Sequence, residues 1–170
     1  MSHVASIALI STGGTIEKTY HEFEGIMSNR VSVLDIMISG LQLTGIELTR
    51  IPLMNIDSLE MTPADHEAIS TAVAGAAKDH DGVVIVHGTD RLAVTGEQLI
   101  VDHPQISIPI VLTGAMRPYM LRTTDAMQNL TEALLAVQFL DPGVYVAMHN
   151  SVLAFPGVHK DQAQLRFVKD

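Results

Sequence analysis

Short apolar runs alternate with helical patterns along this chain, and this alternation is the feature that most constrains its fold. The runs that we predict as strands are Val4–Ile10, Ile46–Met54, Val83–Val86, Ile108–Leu112 and Val144–Met148. The last three runs are continuously apolar, which is typical of strands whose two faces are both covered by helices. Strands that alternate with helices in this way predict an α/β fold with a doubly wound parallel sheet.

The segments between the strands predict helices over residues 33–39, 63–79 and 92–101, and from residue 124 or 125 to residue 140. Ser32 can cap the first of these helices, and Thr62 with Asp65 forms a capping-box pattern with Pro63 at the first helical position. Prolines at positions 104 and 142 follow the last two helices and are typical of helix ends.

Two glycine-containing loops follow the first and third predicted strands. They are Thr12–Ile16 (TGGTI) and His87–Asp90 (HGTD), and each places a hydroxyl beside glycine. We expect the flavodoxin-like strand order 2-1-3-4-5, whose winding reverses between these two strands, and ligands bind at that reversal. Gly14 and Gly88 would bring backbone N–H groups close to a ligand. The sequence therefore predicts one site built from both loops, with candidate nucleophiles that indicate an enzyme.

Composition excludes several classes of function. The chain has 170 residues, no cysteine and a net charge of −9, which argues against disulfides and thiolate chemistry and against binding to nucleic acid or an anionic membrane. Met1-Ser2-His3 lacks the basic region of a signal peptide, and no apolar run approaches the length of a membrane span. The eight histidines show no metal-binding spacing. We expect a cytoplasmic protein without a metal site.

A threonine hydroxyl needs a base before it can act as a nucleophile. Of the four lysines, Lys18 is expected to be exposed in the loop after the first strand, whereas Lys160 follows the fifth strand and can reach the functional edge of the sheet. Beside Thr89 and Asp90, Lys160 would complete a Thr–Lys–Asp relay in which a partly desolvated lysine accepts a proton. A solvated surface lysine is the alternative.

The remaining loops allow two interpretations each. The loop Thr12–Ile16 can be a plain or phosphate-binding turn, although it lacks the GxGxxG and GxxxxGK[ST] spacings. Gly114–Pro118 (GAMRP) can be a turn or a wall of the site in which the Ala115 backbone meets a substrate amide. Ser58 can bind substrate or only shape its turn.

Together, TGGTI, HGTD and GAMRP resemble the signatures of bacterial-type L-asparaginases, and the resemblance covers the whole chain as the catalytic N-terminal domain of that family. It implies hydrolysis of the side-chain amide of asparagine, and often glutamine, through an acyl-enzyme without a metal or cofactor. It places the two catalytic threonines at Thr15 and Thr89, the acidic partner at Asp90 and the lysine at Lys160.

The same resemblance implies the substrate contacts. Ser58 matches the serine that binds the α-carboxylate, Asp90 also meets the α-amino group, and the backbone at Ala115 contacts the side-chain amide. Two positions depart from the family pattern. Leu59 stands where many members have a substrate-binding glutamine, and Tyr20 is the only nearby candidate for the tyrosine of the mobile loop.

The family's smaller second domain has no counterpart in residues 1–170, so we expect either a short single-domain member or a piece of a longer one. We expect a homo-oligomer, as a dimer or dimer of dimers, that hydrolyses L-asparagine with low affinity. A sensor that binds amino acids or amides, and an amidotransferase subunit with little turnover of its own, are the alternatives.

Overall fold

The computed structural model describes residues 4–170, so the N-terminal segment Met1–His3 lies outside the described residues. The strands of the described part are β1 (Ala5–Gly13), β2 (Thr19–His21), β3 (Ile26–Ser28), β4 (Ile46–Ile56), β5 (Gly82–Val86), β6 (Pro109–Thr113), β7 (Gly143–Met148), β8 (Ser151–Ala154), β9 (Val158–Asp161) and β10 (Arg166–Lys169). Its helices are α1 (Leu34–Ser39), α2 (Pro63–Ala76), α3 (Leu92–Asp102) and α4 (Ala126–Ala136), and 3₁₀ turns cover Thr15–Glu17 and Ser58–Glu60.

A six-stranded sheet in the order β4-β1-β5-β6-β7-β8 forms the centre of the fold. Strands β4, β1, β5, β6 and β7 run parallel, and β8 pairs antiparallel with β7 at the edge. The parallel strands have the predicted order 2-1-3-4-5, which confirms the prediction. The winding reverses at β1, so the carboxyl ends of β1 and β5 lie side by side.

Helices cover both faces of this sheet. One apolar core joins α2 and α3 to the sheet and includes Ile69 and Leu99. The other joins α1 and α4 to the opposite face and includes Leu34 and Leu130. Because alternate residues of a strand point to opposite faces, a strand covered on both sides must be apolar at every position. All five residues of β5 are indeed buried, which explains its unbroken apolar run.

Local hydrogen bonds explain where the helices begin and end. The Asp65 carboxylate accepts from the N–H and the hydroxyl of Thr62, both at 2.7 Å, at the predicted start of α2. Helix α1 begins at Leu34, whose N–H donates to the Ser32 hydroxyl at 3.3 Å. Helices α2 and α4 end three or four residues before the predicted positions, because turns rather than regular helix follow their last residues.

Strand β8 and two small antiparallel pairs, β2 with β3 and β9 with β10, were not predicted from the sequence. These strands have only three or four residues each, and most of those residues are not buried. They therefore lack the apolar pattern that revealed the longer strands. No helix within residues 4–170 is long and apolar enough to cross a bilayer.

Candidate active site

The two glycine loops meet at the reversal of winding. Gly14 has φ of 81°, and a Cβ placed on it would lie 2.4 Å from the Cα of Gly88. A Cβ on Gly88 would lie 2.5 Å from the Ser58 hydroxyl oxygen. The ends of β1 and β5 are therefore packed backbone against backbone, and the Ser58 side chain of the turn after β4 lies against Gly88.

The loop after β6 completes this edge. A Cβ on Gly114 would lie 2.3 Å from the His87 carbonyl oxygen and 3.4 Å from the methyl group of Thr89. Ala115 follows and is buried. The structure therefore brings the sequence-predicted residues Gly14, Gly88 and Ser58 together, with the GAMRP loop against the end of β5.

Lys160 joins Thr89 and Asp90 directly. Its ammonium donates to the Thr89 hydroxyl oxygen at 2.9 Å and to a carboxylate oxygen of Asp90 at 2.7 Å. Thr89 is buried, and the Lys160 side chain is only 10% exposed. Lys160 is thus withdrawn from solvent, unlike a solvated surface lysine, and its Nζ is placed to exchange a proton with the threonine.

The short antiparallel pair β9–β10 places Lys160 beside the loop that contains Thr89 and Asp90. Lys160 pairs with the buried Phe167 across the two strands. At the start of the pair, the Gly157 N–H donates to the Glu97 carboxylate of α3 at 2.6 Å. These contacts fasten the strand that supplies the lysine to the helix that follows Asp90.

Thr15 and Ser58 differ in exposure. Thr15 opens a 3₁₀ turn and is partly exposed at the strand end. Ser58 is buried, and its hydroxyl accepts from the Arg91 N–H at 3.3 Å. A hydroxyl that accepts one hydrogen bond keeps its own hydrogen for another acceptor. Ser58 can therefore donate to a carboxylate or carbonyl of a bound molecule.

The expectation that Lys18 is exposed is wrong. Its ammonium forms an ion pair with Asp57 at 2.5 Å, and its side chain is 23% exposed. Burial alone would raise the pKa of Asp57, but hydrogen bonds from Lys18 and from the Leu59 N–H hold that pKa below its ordinary value. The pair ties the loop after Thr15 to the turn that holds Ser58.

Tyr20 and Leu59 lie at the open rim. Tyr20 is on the β2–β3 pair with 54% of its surface exposed, and its N–H donates to the Met120 sulfur at 3.1 Å. Among residues 4–170, no hydrogen bond links its hydroxyl to another candidate catalytic residue. Leu59 is 61% exposed beside Ser58.

Sequence reasoning missed the residue that shapes the GAMRP loop. The buried Asp125 carboxylate accepts from the N–H groups of Met116 and Arg117 at 3.0 and 2.9 Å, and from His149 Nε2 at 2.6 Å. Burial would raise the pKa of Asp125, but these hydrogen bonds lower it. The sequence offered only a helix start at this position. An acidic residue so close after a glycine loop was the available signal.

His87 is the second residue whose importance sequence reasoning missed. It is fully buried under the loop, its Nδ1 lies 2.8 Å from the Gly88 carbonyl oxygen, and burial lowers its pKa to about 4. A histidine that ends a continuously apolar strand was the available signal. Within residues 4–170, no group of three or more His, Asp or Glu side chains is arranged to hold a metal ion.

Comparison with known proteins matches this arrangement to a family. The profile described as "Asparaginase, N-terminal" matches residues 6–166. The chain belongs to the asparaginase family. The recognition from TGGTI, HGTD and GAMRP is thereby confirmed.

The asparaginase-family relatives include enzymes and an amidotransferase component. The chain is 34% identical over 156 residues to an L-asparaginase of Thermococcus kodakarensis, covering 91% of this chain and 47% of that protein. The solved structure of that thermostable enzyme superposes with a TM-score of 0.84 over 96% of this chain and 51% of its own. Over 150 residues the chain is 33% identical to a glutamyl-tRNA(Gln) amidotransferase subunit of Haloquadratum walsbyi, covering 86% of this chain and 33% of that protein.

A third relative is L-asparaginase 1 of Escherichia coli, 37% identical over 134 residues, which covers 76% of this chain and 39% of that enzyme. The chain thus spans about half the length, or less, of the proteins it matches.

Proposed function

We propose that this chain hydrolyses L-asparagine to L-aspartate and ammonia through a threonine ester. The observation that favours this most is the pair of hydrogen bonds from Lys160 to Thr89 and Asp90, at the point where the two glycine loops touch. The similarity to L-asparaginases supports the same reaction. The relay gives a hydroxyl the proton acceptor that it needs for acyl transfer.

In the proposed mechanism, the Thr15 hydroxyl oxygen attacks the carbon of the side-chain amide. Its proton passes to the Thr89 oxygen as the Thr89 hydroxyl gives its own proton to Lys160, which enters this step as the neutral amine, and Asp90 holds the ammonium that results. The C–N bond then breaks, the relay returns the proton to the leaving nitrogen, and ammonia departs. A water molecule attacks the ester, loses its proton to the same relay and releases aspartate, while Thr15 regains its hydrogen.

The substrate's charged end is assigned to the neighbouring loops. Ser58 donates its free hydroxyl hydrogen to the α-carboxylate, and Asp90 accepts from the α-amino group. The Ala115 backbone meets the side-chain amide, while Gly14 and Gly88 let the backbone approach the substrate. We assign no separate step to Tyr20, whose half-exposed side chain lies on the β2–β3 pair.

Ammonia release from asparagine and glutamine tests the proposal. We expect turnover of asparagine, and we expect it to fall by several orders of magnitude in Thr15→Ala and Thr89→Val, as when a nucleophile or its relay is removed. Thr15→Ala should also form no acyl-enzyme in rapid-quench mass spectrometry. Thr71→Ala, on the exposed side of α2, is the matched control. Near-normal turnover in either site variant would contradict the assignment.

The similarity to a glutamyl-tRNA(Gln) amidotransferase component favours a second candidate function, a subunit that acts with partners. It predicts weak ammonia release from the isolated chain and stimulation by a co-purifying protein. An amide-binding sensor would instead bind asparagine in calorimetry without turnover. We further propose a cytoplasmic homo-oligomer.

A further inference from the structure

A chain of buried hydrogen bonds lies directly beneath the catalytic loop. His87 Nδ1 is 2.8 Å from the Gly88 carbonyl oxygen, and its Nε2 is 2.7 Å from the Thr95 hydroxyl. The same hydroxyl is 2.7 Å from His66 Nδ1. His66 lies on α2, Thr95 on α3 and His87 at the end of β5, and all three are buried. The chain thus connects three elements to one peptide group.

The donor and acceptor chemistry of the groups fixes the direction of every hydrogen bond in this series. A carbonyl can only accept, so His87 must donate from Nδ1 to Gly88. A neutral ring protonated at Nδ1 has a bare Nε2, so the Thr95 hydroxyl donates to it. The hydroxyl has then used its one hydrogen, so it must accept from His66 Nδ1. All three hydrogens therefore point from His66 towards Gly88.

This direction determines the orientation of the peptide group between Gly88 and Thr89. The C=O and N–H of a trans peptide point in opposite directions. Since the Gly88 carbonyl points at the buried His87 ring, the Thr89 N–H points away from that ring. Hydrogen bonds in series polarise one another, so a carbonyl at the end of such a chain belongs to a peptide with a stronger N–H donor.

We propose that His66, Thr95 and His87 act together as positioning residues that fix and polarise the peptide preceding the Thr89 side chain. The catalytic part of this inference rests on the proposed function, whereas the hydrogen-bond direction does not. None of the three side chains bonds to the Thr89 hydroxyl, Asp90 or Lys160, so their effect passes through the Gly88 carbonyl.

The series of hydrogen bonds ends at the His66 ring. The other nitrogen of this ring, Nε2, is buried and has no hydrogen-bond partner in the described residues. The charged or titratable groups around this ring are Arg91 before α3, Asp65 on its own helix and the His87 ring, stacked at 6.2 Å. Burial and the Arg91 guanidinium lower the pKa of His66, while Asp65 acts in the opposite direction. Burial also lowers the pKa of His87, so the neutral His87 ring assumed above is the form that its surroundings favour.

Nitrogen NMR of the unmodified protein tests the direction without reference to activity. Two-bond ¹H–¹⁵N correlation spectra near pH 7 distinguish protonated from bare ring nitrogens. We expect both His66 and His87 to be protonated at Nδ1 and bare at Nε2. Finding an Nε2–H tautomer or an imidazolium at either ring would overturn the proposal. Loss of one signal in His66→Asn assigns that ring.

Kinetics test the positioning role. Thr95→Val keeps the shape of the side chain but removes its hydroxyl, whereas Thr95→Ser keeps the hydroxyl. We expect kcat for asparagine to fall about tenfold in the valine variant, the effect of one hydrogen bond, with KM little changed and with recovery in the serine variant. The valine variant should also show a mixture of His87 tautomers.

The outcomes separate the two proposals. If the unmodified protein releases no ammonia but shows both Nδ1–H rings, the proposed function fails while the hydrogen-bond direction stands. If the protein is active and folded Thr95→Val keeps full kcat, the positioning role is wrong. If Thr95→Val does not fold, His66→Asn against His66→Leu decides. Asparagine retains a donor near the position of Nδ1, so only the leucine variant should lose kcat.

Discussion

At the scale of single residues, Lys160 donates two hydrogen bonds from one ammonium, to Thr89 and Asp90. A proton acceptor must be able to lose its proton, and a guanidinium cannot. We therefore expect kcat to fall about 100-fold or more, equally in Lys160→Arg and Lys160→Met. Assays of ammonia release measure kcat, and Lys78→Met, which changes an exposed lysine, is the control. An active arginine variant would show that the lysine acts by charge alone.

Leu59 lies beside the proposed α-carboxylate site, at the position where the resemblance implies a glutamine in many members. Its exposed side chain cannot hydrogen-bond to a charged substrate. We expect a millimolar KM for asparagine and a KM lower by about tenfold or more in Leu59→Gln, since a hydrogen bond to a charged group contributes roughly 1.5–3 kcal/mol. Leu59→Met is the matched control. Steady-state kinetics that show a micromolar KM for the unmodified chain would refute this expectation.

His87 makes stability depend on pH. Its pKa falls from 6.5 to about 4 on folding, so between these values the unfolded chain binds the extra proton and stability rises with pH. We expect His87 to contribute a loss of roughly 3 kcal/mol in unfolding free energy as pH falls from 7.5 towards 4, and the lowered pKa of His66 acts in the same direction. Urea unfolding at several pH values measures this loss.

Glu17 opposes this trend. Burial raises its pKa above the ordinary value of 4.5, so its contribution to stability falls as pH rises. Glu17→Gln removes that contribution and should steepen the rise of stability with pH. A flat profile in this variant would contradict the assignment to His87.

The sequence predicts through the strand order which residues share an edge of the sheet. It does not predict contacts between side chains that lie far apart along the chain. The strand order alone placed Thr15 and Thr89 at one edge. The bonds from Asp125 to the loop before it, and from His66 through Thr95 to His87, join side chains whose partners no sequence period reveals. Lys18 was misplaced because its partner Asp57 lies 39 positions away.

At the scale of elements, the buried strands were predictable and the short pairs were not. Strands β5, β6 and β7 are covered on both faces, so burial left a continuous apolar signature. The pair β9–β10 is held by a few contacts, such as Phe167 and the Gly157 N–H, that leave no such signature. Its lysine was therefore recognised from the resemblance and its place after the last strand.

The contact between the two glycine loops is an element-scale property that one substitution tests. Gly14→Ala adds a methyl group that would overlap the Gly88 backbone, whereas Gly25→Ala meets nothing within 4 Å. Gly14 has φ of 81° with ψ of −174°, a combination open essentially only to glycine, so its alanine variant bears backbone strain as well as this overlap. Gly25 also has a positive φ, 67°, and is the control for a positive-φ glycine in open space. We expect a larger loss of thermal stability and loss of activity only in Gly14→Ala. Equal effects would mean that the loops do not depend on this contact.

At the scale of the whole molecule, large apolar side chains remain on the surface of a strongly acidic protein. Phe23, at the turn between β2 and β3, is 99% exposed, and Phe139 after α4 and Val101 on α3 are also exposed. Such side chains are normal singly, but they are also what interfaces between protomers cover. The net charge of −9 opposes association at low ionic strength.

Exposed apolar side chains favour association and the net negative charge opposes it, so we expect the protomers to associate more tightly as the salt concentration rises. We expect a two-fold symmetric dimer, or a dimer of dimers, at micromolar concentration, because closed symmetry covers the same patch on both copies. Salt screens the repulsion between acidic protomers, so the dissociation constant should decrease from low to physiological ionic strength. Sedimentation equilibrium at two salt concentrations measures it, with Phe23→Asp and Phe139→Asp to locate the interface. A monomer in both buffers would remove oligomerisation from the proposed function, whereas a dimer that salt weakens would point to an interface held by charge.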